Sequence, residues 1–127
     1  MKTKNLNESI KFSIEGIGFA LKYERNIKIQ FIISIFVIIL GFILGLSQEE
    51  FLFIFLWIGM VISAEFFNTA IERALDTYYE DFSQNIKIIK DLCSAAVFVL
   101  AFFAFISGIL IFLPHIIAFL KTIFKGV

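Results

Sequence analysis

The chain has 127 residues, 60% of them hydrophobic and 17% aromatic, with eleven Lys+Arg against eleven Asp+Glu. Soluble domains run at about 45–50% apolar residues, so too little polar residue is left here to cover a water-facing surface. The balanced charge draws it to no nucleic acid, and a lone Cys93 with a lone His115 excludes an internal disulfide and a zinc site. The composition is that of an integral membrane protein, read as a single domain over residues 1–127.

In chain order, the first predicted element is a surface helix over about 7–24. Ile10, Ile14, Ile17 and Leu21 recur at helical spacing on one face, with Asn7 as the expected N-cap. Such a helix can lie in the membrane interface with its apolar side down, the alternative being a soluble helix packed on other protein. Lys2, Lys4, Glu8, Lys11 and Glu15 interrupt the segment too often for the apolar stretch of a secretion signal.

A first span is expected over 27–46, where no charge occurs between Lys28 and Glu49. Its uncharged stretch Ile29–Leu46 measures about 27 Å as a helix, against a hydrocarbon core of about 30 Å. Ser47–Glu50 reads as a polar turn. A second span, 51–71, becomes long enough only by including Glu65 and Asn68. The third is placed at 92–113, with Pro114 expected to end or kink it. Positive charge precedes the first span and lies between the second and third, at Arg73, Lys87 and Lys90. By the positive-inside rule the N-terminus and the 72–91 segment face the cytoplasm.

Glu65 is the residue an inert span would not carry, since a carboxylate there costs about 2.5–3.5 kcal/mol on insertion scales. Glu65, Asn68, Glu72 and Asp76 are spaced by three, four and four, which puts all four on one side of a helix. They rise over about 16 Å towards the cytoplasmic end. Stacked like charges repel, so a cation is expected among them. A metal with its nucleotide is one candidate; a proton or cation pathway in a small channel or transporter subunit is the competing one. No P-loop or Rossmann glycine pattern is present, and His115 stands too far from the stripe to build a Ser–His–Asp set.

Ala64–Asp76 reads AEFFNTAIERALD and Lys90–Val97 reads KDLCSAAV, with Glu24-Arg25-Asn26 ahead of the first span. Over roughly Ser13 to Val97 the chain resembles the small bacterial diacylglycerol kinase and undecaprenol kinase family. The resemblance implies an all-α membrane protein: a homotrimer whose protomers each have an amphipathic surface helix and three transmembrane helices. It implies transfer of the γ-phosphate of ATP, with Mg²⁺, onto a membrane lipid hydroxyl at the cytoplasmic face of a bacterial cell membrane. Glu65 then resembles the general base and Asn68 the amide that helps hold the γ-phosphate. Glu24 and Glu72 match the metal carboxylates. Asp76, Lys90 and Asp91 match polar positions around the nucleotide, Lys90 as phosphate partner, and Ser94 matches a small position nearby. Relatives often carry a His, and a small residue before the K-D pair, where this chain has Ser83, Gln84, Asn85 and Ile89. Thr69 and the Glu24-Arg25-Asn26 run look closer to the undecaprenol kinases of Gram-positive type.

Overall fold

The computed structural model describes residues 5–79 and 83–125, the side chain of Lys125 excepted. It is all-helical: α1 (Leu6–Tyr23), α2 (Arg25–Leu44), α3 (Gln48–Tyr78) and α4 (Gln84–Lys125). Three of these, α2, α3 and α4, are long and apolar enough to cross a membrane. Lys2 and Lys4, two of the charges used to orient the chain, lie outside the described residues, as does the 80–82 part of the 72–91 segment.

α1 is capped two residues earlier than expected. Asn5, not Asn7, is the N-cap, its Oδ1 accepting the Glu8 N–H at 2.9 Å. Glu8 then falls in the first turn, where its negative charge suits the helix dipole. Ile10, Ile14, Ile17 and Leu21 are all exposed, and Ala20 is the buried residue of this helix. The apolar face is therefore not packed on the rest of the chain, which is what an interfacial helix requires.

A single extended residue, Glu24 (φ −101°, ψ 114°), separates α1 from α2. Its N–H still reaches Ala20 O at 2.8 Å and its carbonyl accepts from Lys28 N at 3.2 Å. The backbone is thus satisfied on both sides of the corner, and the Glu24 side chain is set at the bend.

α2 ends at Gly45, whose φ of 71° is open to glycine without strain. Leu46 N bonds Gly41 O at 3.1 Å and Gly45 N bonds Phe42 O at 3.3 Å, a Schellman closure. Ser47 and Glu50 then form a reciprocal capping box on α3, so the expected polar turn is mostly the first turn of that helix. Leu46, Ile54 and Phe112 make the small core at this end. Few other apolar side chains among the described residues are buried, as expected where lipid rather than water is the solvent for the outer faces.

α4 packs chiefly along α3. Of the two expectations for Pro114, an end or a kink, the end is corrected, because the helix runs through that residue to Lys125. Proline removes one backbone donor, but contacts on both sides hold the helix. Phe112 sits in the core before it, and His115 Nε2 lies 2.9 Å from Glu50 Oε1 after it. In an apolar medium, unwinding would leave further backbone groups unpaired.

Candidate active site

The α3 stripe begins buried and ends in the open. Glu65 and Asn68 are 4% and 7% exposed, Glu72 is half-buried, and Asp76 is exposed. Asn68 Nδ2 donates to Glu72 Oε1 at 3.2 Å. Asn68 Oδ1 is buried without a partner, the one such side-chain atom among the described residues. Glu65 makes no hydrogen bond or ion pair among them. Burying a polar atom unpaired is unfavourable, so the Asn68 carbonyl points to something this chain alone does not supply.

A polar cavity of about 360 Å³ lies at the α1–α2 corner against α3, lined by Glu24, Thr69, Glu72, Arg73, Asp76 and Thr77. The corner thus brings Glu24 to the same hollow as Glu72 and Asp76, although 48 positions separate Glu24 from Glu72 in the chain. Lys90 reaches across from α4 to Asp76 and forms an ion pair with it. Asp91 is held on its own helix by Lys87 at 2.6 Å, and Ser94, one turn beyond Lys90, is exposed. Neither Asp91 nor Ser94 lines the cavity.

A second hollow, about 480 Å³, runs between α2, α3 and α4 and is almost wholly apolar. Val61, Ile62, Ala101 and Phe105 are among its walls, with Gln30 and Ser34 as polar points. On α3 this groove ends at Ile62 and the polar cavity begins at Thr69. Along α3 Glu65 falls between these two positions, and it lines neither hollow.

The expected cations are partly supplied by the chain itself. Lys90 neutralises Asp76, and Arg73 grips Glu24, its Nε at 2.7 Å and Nη2 at 2.5 Å from Oε1. Among the described residues Glu72 has only the Asn68 amide. No group of three or more His, Cys, Asp or Glu is placed to hold a metal among the described residues. The donor set still suits Mg²⁺, a hard cation commonly held by one or two carboxylates together with substrate phosphates.

Reading the sequence picked out Glu24, Glu65, Asn68, Glu72, Asp76 and Lys90, and the structure groups them around α3. It missed Thr69, Arg73 and Thr77 as cavity residues. Thr69 and Arg73 stand four and eight positions after Glu65, on the flank of its face, a signal that was available.

Comparison with known proteins matches residues 11–112 to the prokaryotic diacylglycerol kinase family. That range contains the whole Ser13–Val97 stretch on which the resemblance rested. The chain is 39% identical over 101 residues to the undecaprenol kinase of Bacillus subtilis (strain 168), covering 80% of this chain and 82% of that protein. It is 29% identical over 115 residues to the diacylglycerol kinase of Synechocystis sp., covering 90% of this chain and 66% of that protein. The chain belongs to the prokaryotic diacylglycerol kinase family, and its class is that of the lipid kinases.

Proposed function

We propose that the chain transfers the γ-phosphate of ATP to the hydroxyl of a membrane lipid alcohol, with undecaprenol as the preferred acceptor and diacylglycerol as the alternative. The observation that carries this reading is the position of Glu65, buried on the α3 stretch between Ile62, the last α3 residue of the apolar groove, and Thr69, the first of the polar cavity. A lipid kinase has to join a charged donor to an acceptor whose tail stays in lipid. The carboxylate cavity suits the nucleotide phosphates, and the groove suits the acceptor's chain. Identity to the Bacillus undecaprenol kinase, 39% against 29% for the diacylglycerol kinase, supports the preference between acceptors.

In this mechanism Glu65 accepts the proton of the lipid hydroxyl as its oxygen bonds to the γ-phosphorus. The bond from that phosphorus to the β–γ bridging oxygen breaks and ADP leaves. Phosphoryl transfer asks a protein chiefly for positioning and for neutralising charge. Asn68, with its amide N–H on Glu72 and its Oδ1 free, sits one turn from Glu65 and orients the groups between the base and the phosphates. Glu72 and Glu24 would hold the divalent cation, which would supply positive charge to offset that of the phosphates. Lys90, with Asp76, Asp91 and Ser94 nearby on the two helices, serves the nucleotide side. Burial of Glu65, 4% exposed, limits water's access to it.

The site faces the cytoplasm of a bacterial cell in this reading, where ATP is available. The working unit is a homotrimer in which neighbouring protomers complete the open side of each cavity. Purified protein supplied with γ-labelled ATP and, side by side, undecaprenol and diacylglycerol tests the proposal. Label is expected in both extracted lipids and more rapidly in undecaprenol; faster labelling of diacylglycerol would reverse the acceptor assignment. Cation flux in liposomes without any lipid labelling would instead support the channel reading.

A further inference from the structure

Glu24 is assigned above to the divalent cation, yet its Oε1 already receives both Nε and Nη2 of Arg73. The same guanidinium lies 4.7 Å from the centre of the Phe19 ring. Arg73 thus joins α1, the α1–α2 corner and α3, and it lines the polar cavity with Glu72, Asp76 and the two threonines. The Arg73 side chain is 54% exposed and that of Glu24 23%, so the guanidinium has open space on its solvent side into which to leave the carboxylate.

A guanidinium and a divalent cation compete for that carboxylate. They carry like charge, and within a few ångströms they repel. We infer that Arg73 is a resident counter-ion: it occupies Glu24 while the cavity lacks nucleotide, and turns to the nucleotide's phosphate oxygens when MgATP enters. The guanidinium fork fits phosphate as well as it fits a carboxylate. The Phe19 face keeps the guanidinium beside the cavity during the exchange. This inference rests on the reading of Glu24 as a metal carboxylate. It assigns Arg73 a direct contact with the nucleotide, beyond tying the surface helix to α3.

A tether and a counter-ion give opposite signs in one experiment on the full-length protein in nanodiscs. Mn²⁺ serves as the probe, its free fraction read by electron paramagnetic resonance without nucleotide, alongside KM and kcat with MgATP. Arg73→Gln is expected to bind Mn²⁺ about threefold more tightly, the scale of an exposed ion pair removed as competitor. Its KM for MgATP should rise about tenfold, as for a lost charge-assisted contact, with a much smaller change in kcat. Arg73→Lys should restore wild-type Mn²⁺ affinity and part of the MgATP affinity. Phe19→Leu, which loosens the guanidinium and leaves every carboxylate in place, should also tighten Mn²⁺ binding, and it serves if Arg73→Gln fails to insert. Unchanged or weaker Mn²⁺ binding in Arg73→Gln, or in Phe19→Leu where that variant stands in, overturns the inference and leaves the lipid-kinase reading intact. Wild-type Mn²⁺ affinity in Glu24→Gln would remove the metal role of Glu24, and this inference with it.

Discussion

Asn68 gives its amide N–H to Glu72 Oε1 at 3.2 Å and leaves its own Oδ1 buried with no partner. The bond fixes which way the amide points, and the orphaned carbonyl is the unfavourable half of that arrangement. A buried unsatisfied acceptor costs about 1–3 kcal/mol. Asn68→Leu, of similar shape, should therefore be no less stable in detergent than wild type, and its melting temperature is the check. Phosphate transfer to lipid should fall at least tenfold, or about 1.4 kcal/mol. Normal activity would show that the amide does not position the reacting groups.

Glu72→Gln and Glu24→Gln each remove a charge from the cavity while keeping the side chain's shape. Each should bring turnover at saturating Mg²⁺ below about a tenth of wild type, since one lost metal contact is worth at least about 1.4 kcal/mol. Size-exclusion profiles should show both variants inserted and assembled as wild type. More than that tenth remaining in either would remove its carboxylate from the metal site.

The two lysines of α4 are expected to separate cleanly. Lys90 crosses to Asp76 on α3, whereas Lys87 pairs with Asp91 on its own helix. Lys90→Met should raise KM for MgATP several-fold, and the melting temperature should barely move, because exposed pairs are worth about 0–1 kcal/mol. Lys87→Met should change neither quantity. Equal effects from the two would mean that only net positive charge matters at this surface.

Spans and stripe were legible because each is local. An uncharged run reports its own length, and Glu65, Asn68, Glu72 and Asp76 share a face by helical period alone. The Glu24–Arg73 pair was not legible. It joins residues 49 apart through the angle at one extended residue, and no period in the sequence encodes that angle. Arg73 read only as one more positive charge for orientation. Asn7 and Asn5 offer the same capping chemistry, and Glu8 at the third position after Asn5 decides between them. Pro114 read as an end or a kink because proline chemistry is local, while the His115–Glu50 contact beyond it is not.

The turn between α2 and α3 should matter for stability and not for chemistry. At Gly45 an added Cβ meets the left-handed φ of 71°, worth about 1–2 kcal/mol. At Gly41 it would stand 2.9 Å from Phe51 Cε1, so the ring must move. Gly45→Ala and Gly41→Ala should both lower the melting temperature, with turnover per folded molecule unchanged. A turnover loss at the permissive temperature would show that this end communicates with the site.

Glu65→Gln tests the central claim most directly, with label transfer from ATP to undecaprenol and equilibrium MgATP binding measured on one preparation. Glutamine keeps the shape and can accept a hydrogen bond, but it cannot take the hydroxyl proton, and loss of a general base lowers rate by about 10²–10⁴. A collapse of kcat with near-normal MgATP affinity and an unchanged or raised melting temperature is the expected result. Nucleotide affinity falling in step with rate, or turnover surviving intact, would contradict the account of Glu65 as the base between nucleotide and lipid.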